Sequence, residues 1–289
     1  MLRPVTILGC GFTGRALARL ALAQGRAVRA TVRDPAHLPA LEALGITARA
    51  APQLDADTLA GWVDGAGLAV CFPPDGHTDA RIAPLLRGAT GIAYVSSTGV
   101  YGDRRGHIDH HTPAEPADAK GRARLDAESQ YRAVGARVLR AAGIYGPGRG
   151  LHLRLLRGDF HAPDDPHKVV SRVHVDDLAA LCLAALDAPR LEGGAAWPVA
   201  DEAPTAQAEV IAALCAWMGL PPPPTVPVAE APPTLRHDRA VDGREAFAAH
   251  GVTPRYPSWR EGFRACLAAD DPRGTRYGRT TMTPAMLGR

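Results

Sequence analysis

The chain opens on a compact β-rich run at residues 4–8, followed by a glycine-punctuated turn at 9–14. The spacing then changes. Leu17, Leu20 and Ala21 fall on one helical face within 15–24, and Gly25 supplies a stop. A second strand is predicted over 27–32, which completes a βαβ unit. Buried-strand patterns recur at 68–72, 92–96, 136–140 and 168–173, and helical patterns such as 122–134 and 176–186 separate several of them. Strands that alternate with helices predict an α/β fold with a mostly parallel, doubly wound sheet and helices on both faces.

Beyond about residue 190 the texture changes. Helical patterns at 207–218 and 243–250 flank a proline run at 221–224 that recurs at Pro232 and Pro233. Such a run predicts a stiff, extended connector. A last helix is expected over 258–269, and the polar stretch 270–289 reads as a flexible tail. The expected organisation is therefore a sheet domain at 1–190, a smaller, mostly helical substrate region at 191–269, and the tail.

Composition narrows the function classes. A net charge of +3 is too small to argue for nucleic acid or an anionic membrane as partner. No apolar stretch has the roughly 20 residues that a membrane-spanning helix needs. Met1 leads straight into the first strand with no room for a signal peptide, and the five cysteines are scattered and never in a C-x-x-C pair. These features predict a cytoplasmic protein with free thiols. Lys120 and Lys168 are the only lysines; the other basic residues are arginines.

Gly9-Cys10-Gly11-Phe12-Thr13-Gly14 fits G-x-G-x-x-G between a strand and a helix, the context in which that pattern holds a dinucleotide. Gly9 makes the tight turn, Gly11 lets the backbone approach a pyrophosphate, and Gly14 permits close helix–strand packing. The helix N-terminus offers N–H groups and a positive dipole end to the phosphates, with Phe12 and Thr13 in the same turn. Cys10 lies near that dipole, which would lower its pKa, although a small residue at a permissive position is the simpler role. The sheet is thus expected to be Rossmann-type. At the tip of the second strand Arg33 stands where an NAD site usually has a carboxylate, which points to a 2′-phosphate and NADP, with NAD second; Asp34 is the competing acid. Phe72 and Pro73 end a strand and should border the cofactor.

Tyr94-Val95-Ser96-Ser97-Thr98-Gly99-Val100-Tyr101-Gly102 resembles the S-S-x-x-V-Y-G signature of the extended short-chain dehydrogenases/reductases, the NAD-dependent epimerase/dehydratase superfamily. Leu139-Arg140 through Tyr145-Gly146-Pro147 is similar to that family's L-R-x-x-x-x-Y-G-P segment. Arg172 through Ala179 is similar to its H-V-D-D-x-A helix start, and 199–204 to a strand-to-helix turn of the same group. The resemblance covers most of 1–205, in order, and is loose after that. It implies a reductase, dehydrogenase or epimerase acting on a small hydroxylated or carbonyl substrate. It also implies cofactor contacts at Ser96 and Ile144 and a substrate-binding hydroxyl at Ser97. Dimers are common among similar proteins, so a homodimer is the assembly to test.

One departure is central. The family's Y-x-x-x-K pair, in which the lysine lowers the tyrosine's pKa and the tyrosine moves the proton, is missing. Aligned on Ala127-Glu128, Lys120 takes the tyrosine's place and Arg124 the lysine's, so the chain resembles atypical members without the usual acid–base pair. Arg124 would hold the ribose as a fixed cation. Lys120 and Tyr101 are the candidate replacement acids, and Tyr145 is a further aromatic of the same kind. A non-catalytic NAD(P) sensor is the alternative reading, since it needs no replacement. His107-Ile108-Asp109-His110-His111 has metal-ligand residue types, but its glycine- and arginine-rich setting favours a solvated loop, and no metal is expected. Asp176, after His174, is expected to cap its helix.

Overall fold

The computed structural model describes residues 2–232 and 235–271. Seven parallel strands form the central sheet: β1 (Val5–Leu8), β2 (Val28–Val32), β3 (Thr47–Ala50), β4 (Gly67–Val70), β5 (Gly91–Ser97), β6 (Arg137–Ala141) and β7 (Ala195–Val199). Their spatial order is β7-β6-β5-β4-β1-β2-β3. The order reverses between β1 and β4, the kind of crevice in which open α/β sheets place their ligands. This is the Rossmann-like α/β fold that the alternating pattern predicts.

Period-two alternation feeds a core on each face of the sheet. Ile7, Ala69, Ala93 and Leu139 face one core, where α1 (Phe12–Ala23) packs with α4 (Val175–Asp187). Leu8, Leu68, Val70, Tyr94 and Val138 face the other, with Ala127 and Tyr131 of α2 (Ala119–Arg132). Asp118 starts α2 by accepting the Gly121 N–H at 2.6 Å.

Two elements depart from the sequence pattern. The sheet's edge strand β7 lies past residue 190, and it tolerates Pro198 because an edge strand has one side without a ladder partner. The run at 168–173, expected as a strand of the same sheet, stays outside it. Val169–Val170 pairs antiparallel with Thr205–Ala206, and Arg172–His174 pairs parallel with Gly143–Tyr145. Ser171 separates the two pieces because its hydroxyl donates to the Arg239 carbonyl and accepts the Val241 N–H.

A third core joins α3 (Leu151–Arg157), α5 (Gln207–Met218) and α6 (Trp259–Asp270) through Leu155, Phe160, Leu214, Trp259 and Phe263. This mostly helical lobe sits over the carboxyl side of the sheet. Asp270, read from sequence as the start of the tail, instead closes α6. Its carboxylate accepts the Gly148 N–H at 2.9 Å and bonds the buried His152 ring, also at 2.9 Å. Residues 272–289 and Pro233 lie outside the described residues, so the tail reading falls there. No helix among the described residues is long and apolar enough to cross a membrane.

Candidate functional site

The glycine turn follows β1, and its three glycines are present for three different reasons. Gly9 has φ +82°, and a Cβ there would lie 2.8 Å from the Phe72 Cβ. A Cβ on Gly14 would come within 3.1 Å of both the Gly9 carbonyl and the Ile7 side chain, so α1 can close onto β1 only without it. Around Gly11 no heavy atom lies within 4 Å of a Cβ position, which leaves its backbone open to a ligand. The turn is pinned from β2, where Thr31 accepts the Gly9 N–H at 3.1 Å. Cys10 is buried and its thiol is pushed up to about 11 by desolvation, against the pull of Arg15 and Arg19, so burial overrides the lowering expected from the helix end.

A cleft of about 730 Å³ opens beside this turn at the carboxyl ends of β4, β5 and β6. Eight residues singled out from sequence line it together: Phe12, Thr13, Phe72, Pro73, Ser96, Ser97, Arg124 and Ile144. Gly9, Gly11 and Gly14 flank it in the turn. Arg33 is exposed at the tip of β2, and the adjacent Asp34 is engaged locally, its carboxylate accepting the Ala36 N–H at 2.9 Å.

The cleft floor rests on a buried polar network. Ser96, 3% exposed, donates to Glu128 at 2.5 Å. Glu128 receives the Arg140 guanidinium, with Nη2 at 2.7 Å and Nε at 3.1 Å, and Arg140 in turn donates to the Tyr101 hydroxyl at 3.3 Å. Ser97 accepts the Gly99 N–H at 3.1 Å and keeps its own proton to donate. Arg124 enters the cleft from α2 and donates to the Val95 carbonyl at 3.3 Å.

The other candidates present no reactive group to the cleft. Tyr101 is completely buried on the Arg140 side, and its hydroxyl pKa is raised by desolvation. Lys120 is exposed at the start of α2. Tyr145 lines the cleft with its ring, but its hydroxyl is buried without a partner and faces Gly262 of α6, where a Cβ would come too close to fit. His174, not Asp176, caps α4: its Nδ1 accepts the Asp176 N–H at 3.2 Å. Burial holds the His174 pKa down to about 4. The 107–111 segment is a loop only in its second half: Gly106–Ile108 is a short strand paired parallel with Arg239–Val241, and the turn after it is closed by Asp109, which accepts from the His111 N–H and the Thr112 hydroxyl. Among the described residues no group of three or more His, Cys, Asp or Glu side chains is placed to hold a metal ion.

The remaining wall was not legible beforehand. Arg149, Leu151, Arg154, Phe160, Arg172, Gln207, Leu235 and Phe263 come from loops and from the helical lobe. Arg172 stands in a segment that the sequence marks as a strand and by its family likeness, not as cleft wall, and nothing local marks the others.

Residues 9–189, spanning the turn, the cleft floor and α4, match the family described as NAD(P)H-binding. The chain belongs to that family. A 3-diazoavenalumate denitrifying reductase from Streptomyces sp is 31% identical over 170 residues, 54% of this chain and 55% of that protein. The chain thus matches about half the length of that relative. A functionally unknown conserved protein from Silicibacter pomeroyi DSS superposes with a TM-score of 0.80 at 31% identity, over 92% of this chain and 99% of the other. A further likeness is one of fold alone. The dTDP-glucose 4,6-dehydratase of Bacillus anthracis str. Ames, solved with NAD, has a TM-score of 0.77 at 13% identity, over 96% and 99% of the two chains.

Proposed function

We propose that this NAD(P)H-binding protein is an NADP-dependent oxidoreductase, of the atypical extended short-chain type, acting on a small hydroxyl or carbonyl compound. One observation carries the reading: a single cleft joins the glycine turn to Ser97 and Arg124 at the carboxyl edge of the sheet. The open space at Gly11 and the forced turn at Gly9 fit a pyrophosphate cradle. The preference for NADP rests on Arg33, an exposed cation at the β2 tip, beside an Asp34 already occupied by Ala36.

Bound there, a nicotinamide supplies or takes up a hydride. The chain's own residues do the rest. Arg124 holds the ribose by charge and hydrogen bonding. Ser97 hydrogen-bonds the reacting oxygen through its hydroxyl, and solvent in the open cleft provides the single proton that the buried Tyr101 and the exposed Lys120 do not give. The helical lobe, through Arg154, Gln207 and Phe263, forms the substrate side. The relative named as a reductase supports reduction as the direction.

The test is a fluorescence titration with NADPH and NADH, in which binding of neither overturns the reading. A second reading, a dinucleotide sensor, is favoured by the absence of Lys120 and Tyr101 from the cleft wall. Cofactor binding without hydride exchange across a panel of carbonyls and alcohols decides for the sensor.

A further inference from the structure

The cleft is lined by four cations, Arg124, Arg149, Arg154 and Arg172, and by no carboxylate among the described residues. Two of them face the glycine turn's side. Arg124 bonds the β5 carbonyl of Val95, and Arg149 lies 5.2 Å over the Phe12 ring. The other two belong with the helical lobe. Arg154 of α3 lies 4.8 Å over the Phe160 ring and shares the exposed Asp159 carboxylate with Arg157. Arg172 is 6% exposed, and its hydrogen bonds go to neutral acceptors: the Val170 carbonyl at 3.1 Å and the Gln207 amide oxygen.

Another buried cation stands behind the wall. Lys168 is 1% exposed, and its Nζ is buried with no hydrogen-bond partner. Burial brings it down to about 8, with the charge of Arg172 acting in the same direction and those of Asp238 and Asp165 against it. The carboxylate that acts on Arg172, Asp201, is itself pushed up to about 7 by burial, which weakens it as a counter-charge near neutrality. Burying cations without a directly bonded carboxylate is costly, and an arriving anion offsets part of that cost.

The other walls are apolar: Leu151, Phe160, Leu235 and Phe263. The whole cleft of about 730 Å³ must also take the nicotinamide end. Since pockets of about 300–1,000 Å³ hold a single drug-sized ligand, what remains suits a small molecule. We infer that the substrate side of the cleft takes a small ligand bearing a carboxylate or phosphate on an apolar or aromatic frame. Arg172 and Arg154 hold the anionic group, and the Phe160–Phe263 side takes the frame. This rests on the cleft being the substrate site of the oxidoreductase proposed above.

Calorimetric titration of the NADPH-saturated protein with benzoate, phenyl phosphate and neutral benzamide tests it. At least one anion should bind tenfold or more tightly than benzamide, and the stronger of the two identifies carboxylate or phosphate as the group read. Arg154→Gln, at a half-exposed site, and Arg172→Gln, checked for folding by circular dichroism, should each lose that preference. Equal binding of all three probes, no binding of any, or anion binding unchanged in Arg154→Gln and in folded Arg172→Gln overturns the inference. Repeating the titration without NADPH separates this result from the cofactor assignment. An anion preference that survives when NADPH itself fails to bind leaves the anion site standing and removes the oxidoreductase reading.

Discussion

Ser96 hands its hydroxyl hydrogen to Glu128 across 2.5 Å, tying the floor of the cleft to the helix behind it. Glu128 is 1% exposed and is also the ion-pair partner of Arg140, which is 7% exposed. Glu128→Gln removes the negative charge and strands the guanidinium, which should cost about 3–5 kcal/mol of folding stability. Ser96→Ala leaves that ion pair intact and should cost less, roughly 1–3 kcal/mol. Urea denaturation of the two variants ranks them, and a Glu128→Gln protein as stable as wild type contradicts the role given to the pair.

The glycine turn separates folding from binding. Gly11→Ala meets no neighbour, so its stability should stay within about 0.5 kcal/mol of wild type. Its NADPH affinity should fall on the order of tenfold, or 1.4 kcal/mol, because the methyl occupies space meant for the cofactor. Gly9→Ala, at φ +82° and against Phe72, should lose stability as well, by roughly 1–3 kcal/mol. Thermal melts with and without NADPH check both.

The proposed preference for NADP is tested at the tip of β2. Arg33→Ala removes a charge-assisted contact worth about 1.5–3 kcal/mol, so NADPH binding should weaken roughly 10- to 100-fold while NADH binding holds. Equal losses for the two cofactors remove the 2′-phosphate assignment.

Arg124, Lys120 and Tyr101 make a second set of binding variants. Arg124→Ala should weaken both cofactors, since Arg124 enters the cleft. Lys120→Ala, exposed on α2, and Tyr101→Phe, buried beside Arg140, should leave cofactor affinity unchanged. A strong loss of binding in Lys120→Ala places that lysine at the cofactor after all.

Asp201 and His174 oppose one another in their dependence on pH. Asp201 is raised to about 7, so the folded state binds more protons than the unfolded chain between about pH 4 and 7, and stability falls as pH rises through that window. His174 is lowered to about 4, so its contribution is lost as pH falls from about 6.5 toward 4. The two slopes have opposite sign. Asp201→Asn should therefore raise the melting temperature at pH 8 and make the melting temperature climb more steeply between pH 5 and 7 than in wild type. A flat or reversed slope in Asp201→Asn excludes this balance.

The first strand, the glycine turn and α1 were readable from sequence because every role there is local: strand, tight turn, helix start and close packing follow within some twenty residues. Ser97 was readable for the same reason, at a strand end. The segment 168–173 misled because its apolar run is a strand pattern, while its partners, Gly143–Tyr145 and Thr205–Ala206, are distant in sequence. Lys120 and Tyr101 looked equivalent to Arg124 along the chain. The helix angle brings Arg124 to the cleft and leaves Lys120 in solvent, and Arg140 draws Tyr101 into the core. The arginines of the far wall gather only when the helical lobe docks, and no spacing rule encodes that.

Asp270 gives the chain a minimum length. By accepting the Gly148 N–H and bonding His152, it fastens the segment that carries Arg149 and Leu151 into the cleft wall. Truncation after Ala269 frees that segment, whereas a cut one residue later keeps the fastening. The loop at the cleft mouth is therefore fastened from more than a hundred residues downstream of itself, by the last residue of α6.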